Sequence, residues 1–223
     1  MSFRPYGRIK ALFNACAIII MLAPALAKAE TRTSDMVVLA FGDSLTAGYG
    51  VASAESFPVL LETRLRQNGA AVRVLNAGVS GDTTAGGAAR IEWALEEKPD
   101  LVILELGAND GLRGVDPAVT QQNLAKIYNR ATAAGARVLL MGMRASPSMG
   151  TDYETAFNAV FPALAQSWRV GFYPFFLEGV AADPAFTQPD GLHPNAKGVA
   201  IIVEGVAPLV HNEYHRWKKR TRQ

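Results

Sequence analysis

The chain has 223 residues, 49% of them hydrophobic, with 22 Lys+Arg against 20 Asp+Glu. That is length enough for one domain with a well-buried core, and the near balance of charge excludes the strongly basic surface of a nucleic-acid binder. A single cysteine excludes a disulfide framework and zinc sites built on thiolates.

The first 29 residues stand apart from the rest. Arg4, Arg8 and Lys10 precede the apolar stretch from Ala11 to Leu26, which ends in the small-residue patterns Ala25-Leu26-Ala27 and Ala27-Lys28-Ala29. This pattern reads as a secretory signal peptide over residues 1–29, cleaved after Ala27 or Ala29. An uncleaved anchor fits less well, because Asn14 and Pro24 shorten the apolar core below the roughly 20 residues that a spanning helix needs. Cys16 lies in this segment without the context of a lipid-attachment site. Cleavage leaves an exported, periplasmic or secreted chain with 18 basic and 20 acidic residues and no cysteine, hence no thiolate nucleophile.

Beyond a short polar lead-in, the run Met36-Val37-Val38-Leu39-Ala40-Phe41 predicts a buried strand, followed directly by Gly42-Asp43-Ser44-Leu45-Thr46-Ala47-Gly48-Tyr49-Gly50. A helix is predicted over 56–67, where Leu60, Leu61 and Leu65 recur at helical spacing until Asn68-Gly69 stops it. Ala71 to Leu75 reads as the second strand, Asn76 to Thr84 as a loop and Thr83 to Lys98 as a helix. The third strand is Leu101 to Leu106, and a loop from Gly107 leads to Asp116, an N-cap with Pro117 at the first helical position. That helix runs to about Ala134. Arg137 to Gly142 follows as a strand, Met143 to Thr151 as a surface loop, Tyr153 to Trp168 as a helix and Val170 to Phe175 as the fifth strand. The last helix is predicted from Asn195 to Leu209.

Strands alternating with helices at this spacing predict an α/β fold with a parallel sheet covered on both faces, and right-handed crossovers limit it to the doubly wound type. We expect a flavodoxin-like, three-layer α/β/α domain with five parallel strands over residues 30–210. Residues 211–223 form a basic C-terminal tail with five Lys/Arg and one acid, read as a solvated end or as a weak contact to a membrane surface with Trp217 at the interface.

Ligands in open α/β sheets collect beyond the carboxyl ends of the strands. Ser44 follows the first strand, Gly81 the second and Asn109 the third, and a fourth segment, Asp190-Gly191-Leu192-His193-Pro194, comes late in the chain. Singly, each has a plain structural use: Ser44 as a helix cap, Gly81 as a bend, Asn109 as a turn residue, His193 as a surface residue. Together they suit nucleophilic catalysis. A serine hydroxyl needs a base, a neutral imidazole supplies one, and a carboxylate three residues before it can fix the imidazole's tautomer and stabilise its cation. Ser44 with Asp190 and His193 fits that need. The N–H groups of Ser44 and Gly81 and the side-chain amide of Asn109 offer donors for a developing oxyanion.

These segments, Gly42-Asp43-Ser44-Leu45, Gly78 to Thr84, Gly107-Ala108-Asn109-Asp110 and Asp190 to Pro194, resemble in order and spacing the four blocks of the GDSL, or SGNH, hydrolases. The chain is most similar to the exported bacterial thioesterases, arylesterases and lysophospholipases of that family, over about Val37 to Leu209. The resemblance implies the SGNH hydrolase fold and hydrolysis of carboxylic esters and thioesters through an acyl-enzyme on Ser44. It makes Asp190 and His193 the rest of the triad and Ser44, Gly81 and Asn109 the oxyanion donors. Ala108 departs from the pattern, since relatives often have a second glycine there. No cofactor and no metal are expected. The anticipated substrates are small esters, thioesters or lysolipids, with the loop at Leu112 and with Met149 and Tyr153 lining an acyl channel. The chain is expected to act as a monomer or weak dimer. A carbohydrate O-deacetylase on the same triad, or a periplasmic binding module without turnover, are the alternatives.

Overall fold

The computed structural model describes residues 1–2 and 35–221. The expected signal peptide, its cleavage point and Cys16 lie outside the described residues. From residue 35 onward the described chain is one compact unit.

Five parallel strands, β1 (Met36–Gly42), β2 (Val72–Gly78), β3 (Leu101–Glu105), β4 (Arg137–Met141) and β5 (Gly171–Tyr173), pair in the order β2-β1-β3-β4-β5. This is the expected flavodoxin-like order, with the crevice for a ligand where the order reverses beside β1. β3 is buried throughout and β1 nearly so, which is why both read as unbroken apolar runs. Register aligns the ends of the three site-bearing strands, since Gly42 faces Gly78 on one side and Glu105 on the other.

The helices are α1 (Ser44–Ala47), α2 (Phe57–Gln67), α3 (Thr84–Ala94), α4 (Ala108–Arg113), α5 (Pro117–Ala133), α6 (Thr151–Trp168) and α7 (Ala196–Arg220). α2 packs on α7, and α5 packs between α3 and α6, so the sheet is covered on both faces. Phe41, Leu39, Ile103, Leu139, Ile127 and Phe161 are among the fully buried side chains of the core.

Four elements differ from expectation. β2 runs on through Asn76-Ala77-Gly78 because these residues keep their pairing with β1, overriding a composition that reads as loop. β5 stops at Tyr173, since Pro174 has no N–H to extend the ladder. The segment after β3 coils into α4, stabilised where buried Asp110 accepts the backbone N–H and hydroxyl of Thr84 at 2.8 and 2.5 Å.

The largest correction concerns the C-terminus. The basic tail is not a solvated end: α7 continues through it to Arg220, with Glu213, Tyr214 and Trp217 only 3, 5 and 7% exposed. Val203, Val206, Val210, Tyr214 and Trp217 make one apolar stripe at helical period, hidden in the sequence among His and Lys/Arg. Glu213 accepts hydrogen bonds from Arg137 on β4 at 2.5 Å and from Arg216 at 2.7 Å, pinning the helix to the sheet. Trp217 is therefore a core residue and not an interfacial anchor. Among the described residues no helix is long and apolar enough to cross a membrane.

Candidate active site

The Ser44 turn begins where β1 ends. Asp43 caps α1, its Oδ1 accepting from the Leu45 N–H at 3.0 Å, and so presents Ser44 as the first helical residue. Gly42 is required for this approach: a Cβ there would come within 2.2 Å of the Thr46 hydroxyl and 2.3 Å of a Glu105 carboxylate oxygen.

The turn from Gln188 to Pro194 carries the other two groups. The Gln188 N–H donates to the His193 carbonyl at 2.7 Å, Thr187 bridges Pro194, and Gly191 takes a positive φ of 70°. Asp190 Oδ1 accepts the N–H groups of Leu192 and His193 at 2.9 and 3.0 Å, while its Oδ2 lies 2.7 Å from His193 Nδ1. His193 Nε2 lies 2.9 Å from Ser44 Oγ across 149 residues of sequence. A carboxylate on Nδ1 holds the proton there and leaves Nε2 free to accept from the serine. The His193 N–H, then its ring, then the Leu192 N–H lower the Asp190 pKa to about 2, so the carboxylate remains charged wherever the imidazole can work.

Asn109, in the first turn of α4, sits between the two loops. Its Nδ2 donates to Asp43 Oδ2 at 3.1 Å and to the Asp82 carbonyl at 2.9 Å, next door to Ser44 and Gly81. Gly81 has a φ of 80°, a left-handed conformation that turns its loop, and its carbonyl accepts from Arg113 at 2.9 Å. All three sequence-derived donors thus belong to segments joined by direct hydrogen bonds.

Two buried acids lie behind the turn. Burial raises the Asp43 pKa to about 6, against the opposing hydrogen bonds from Leu45 and Asn109. Glu105 is fully buried; burial first, and the Asp43 charge second, hold its carboxyl well above the usual range. One Glu105 oxygen accepts from Thr46 Oγ1 at 2.7 Å and from the Asp43 N–H at 3.3 Å, and the other has no partner. Glu105 escaped sequence reasoning, although an acid ending an otherwise apolar buried strand is itself a signal. Gln188 and Arg90 escaped as well, because nothing in their local sequence marks them.

Leu112 is exposed, and Met149 packs over the same loop, its Cε 3.2 Å from where a Cβ on Gly114 would lie. Tyr153 is half-buried and stacks on Phe157, with its hydroxyl donating to the carbonyls of Val115 at 2.8 Å and Asp110 at 3.3 Å. That hydroxyl braces the end of α4. Among the described residues no group of three or more His, Cys, Asp or Glu side chains converges as a metal site would.

The model of the GDSL-like lipase/acylhydrolase family matches residues 40–201. Esterase TesA of Pseudomonas aeruginosa is 42% identical over 200 residues, covering 89% of this chain and 96% of that protein. Thioesterase 1/protease 1/lysophospholipase L1 of Escherichia coli K12 is 39% identical over 181 residues, covering 79% of this chain and 86% of that protein. The crystal structure of AlinE4, an SGNH-hydrolase family esterase, superposes with a TM-score of 0.69 at 46% identity, covering 81% of this chain and 97% of that one.

Proposed function

Because this chain belongs to the GDSL-like lipase/acylhydrolase family and is a serine ester hydrolase, we propose that it cleaves carboxylic esters and thioesters through an acyl-enzyme on Ser44. The observation that carries this reading is the unbroken line from Ser44 Oγ to His193 Nε2 at 2.9 Å and from His193 Nδ1 to Asp190 at 2.7 Å.

His193 takes the hydroxyl proton as Ser44 attacks the acyl carbon, and Asp190 stabilises the imidazolium that results. The carbonyl oxygen becomes an oxyanion facing the N–H groups of Ser44 and Gly81 and the amide of Asn109. Since both Asn109 protons already have acceptors, that amide contributes by sharing a proton in a three-centre bond. His193 then returns the proton to the leaving alcohol or thiol, and in the second half it activates water to release the acid.

Leu112 and Met149 support an apolar acyl site beside the oxyanion loop. Residues 1–29 support export, which removes the enzyme from cytosolic acyl-CoA and favours lysophospholipids and other esters outside the cytoplasm. Every group in the mechanism comes from one chain, so a monomer suffices. A fluorophosphonate probe should label one site per chain, and Ser44→Ala should lose both labelling and ester hydrolysis; retained turnover in Ser44→Ala overturns the reading. A chain-length series of nitrophenyl esters, run beside a lysophospholipid, an acyl-CoA and an acetylated polysaccharide, identifies the substrate class. Activity confined to the polysaccharide would select the deacetylase.

A further inference from the structure

Arg90 lies on α3, outside every motif of the family resemblance, and its guanidinium makes three hydrogen bonds to three segments. Nε donates to Asp82 Oδ2 at 2.7 Å, Nη1 to the Ala77 carbonyl at 2.9 Å and Nη2 to the Gly42 carbonyl at 2.9 Å. Its Cζ stands 4.0 Å above the Phe41 ring, a cation–π contact with the end of β1. The Arg90 and Asp82 side chains are only 19 and 12% exposed, whereas the partners of the other α3 ion pair, Arg130 and Glu92, are 64 and 69% exposed.

The three acceptors are the places from which the oxyanion donors hang. Gly42 is the last residue of β1, two before Ser44. Ala77 stands at the end of β2, where the loop to Gly81 departs. Asp82 follows Gly81 directly; its N–H closes a turn on the Val79 carbonyl at 3.1 Å, and its own carbonyl receives Asn109 Nδ2. Gly86 is the residue that permits this, since a Cβ there would meet Asp82 Oδ1 at 1.9 Å. Without that space Asp82 could not lie along the first turns of α3 and reach Arg90 one turn further on.

We propose that Arg90 is the positioning residue of the oxyanion hole, one rigid guanidinium holding the Ser44 turn, the Gly81 loop and the acceptor of Asn109 in a common frame. The proposal rests on the serine mechanism above. It follows from the geometry of the side chain: a planar fork with five donors can span three fixed carbonyl and carboxylate acceptors, while an ammonium on a flexible stem cannot. Arg90 touches no reacting atom. Its effect falls on the step in which charge develops on the carbonyl oxygen, so it acts on kcat and leaves substrate binding nearly alone.

The test uses the full chain and the variants Arg90→Lys, Arg90→Ala and Asp82→Asn, with a short nitrophenyl ester and a fluorophosphonate probe. Arg90→Lys is expected to lose on the order of 30- to 100-fold in kcat with KM within about threefold, and to slow probe labelling in parallel. Asp82→Asn, which keeps side-chain size and replaces the charged acceptor of one arm of the fork by a neutral one, is expected to show the same split at on the order of 10-fold. Added guanidinium ion should restore part of the activity of Arg90→Ala and none of that of Arg90→Lys. A kcat within twofold of the parent in Arg90→Lys overturns the proposal, as does a loss that merely tracks the unfolded fraction seen by circular dichroism. If neither Arg90 variant folds, Asp82→Asn decides alone, and unchanged kcat in it is equally fatal. Failure of the parent to label at Ser44 defeats the serine mechanism itself, while undiminished Ser44 labelling in the variants defeats only the role of Arg90.

Discussion

The side-chain amide of Gln188 donates a hydrogen bond to the carbonyl of Tyr49, 139 residues earlier, at 2.7 Å. Tyr49 ends the Ser44 loop, and Gln188 opens the turn of His193, whose Pro194 carbonyl the same nitrogen also reaches at 2.9 Å. The Tyr49 ring covers His193 with centroids 4.6 Å apart. One residue therefore ties together the two loops that carry Ser44 and His193. Gln188→Ala should lower kcat on a short ester about 10-fold with little change in KM, since a small misplacement of reacting groups is costly and Gln188 is not among the residues of the proposed acyl site. Steady-state kinetics on a nitrophenyl ester checks this.

Asp43 and Asp190 respond to pH with opposite signs. Between 3.8 and about 6 folded Asp43 holds a proton that the unfolded chain has released, so stability falls as pH rises through that window. Asp190 stays ionised in the folded state down to about 2, so its contribution is complete above 3.8 and is lost as pH falls towards 2. Urea unfolding across pH 3 to 8 should show the Asp43 decline between about 4 and 6, and Asp43→Asn should flatten the slope there.

Glu105 is better served by a neutral head group than by a charge. Burial and the Asp43 charge hold its carboxyl high, and its second oxygen has no partner. Glu105→Gln keeps an acceptor for Thr46 and cannot ionise, so it should be stabilising relative to the parent as pH rises, while ester hydrolysis is retained. Glu105→Lys should not fold, because an unpaired ammonium would sit beneath the Ser44 turn. Denaturation midpoints at pH 5 and pH 8 for the parent and the Gln variant provide the comparison.

Removing residues 210–223 should cost most of the protein's stability. Val210, Tyr214 and Trp217 are buried, truncating one such aromatic typically costs about 3–5 kcal/mol, and Arg137 would lose its buried carboxylate partner, Glu213. A chain ending at Leu209 should be unfolded or melt far below the full-length protein by circular dichroism. Trp217→Ala alone should lower the urea midpoint with kcat unaltered at temperatures where it remains folded.

Much of this protein could be read along the chain. Strand and helix alternate in unambiguous patterns, so the sheet and its order followed from apolar runs, breaks and the handedness of crossovers. Ser44 stood directly behind a buried strand, Asp190 and His193 stood three residues apart in one turn, and both arrangements are local enough to leave a mark in sequence. The C-terminal helix left a mark too, in the spacing of Val210, Tyr214 and Trp217, which the neighbouring cations concealed. Arg90, Gln188 and Glu105 left almost none. Their partners lie 48, 139 and 62 residues away, brought near only by strand register and helix packing. A group that acts at the reaction centre must have its own chemistry, which residue type reveals. A group that holds others in place needs only donors and acceptors at the right distance, and that distance exists only once the chain has folded.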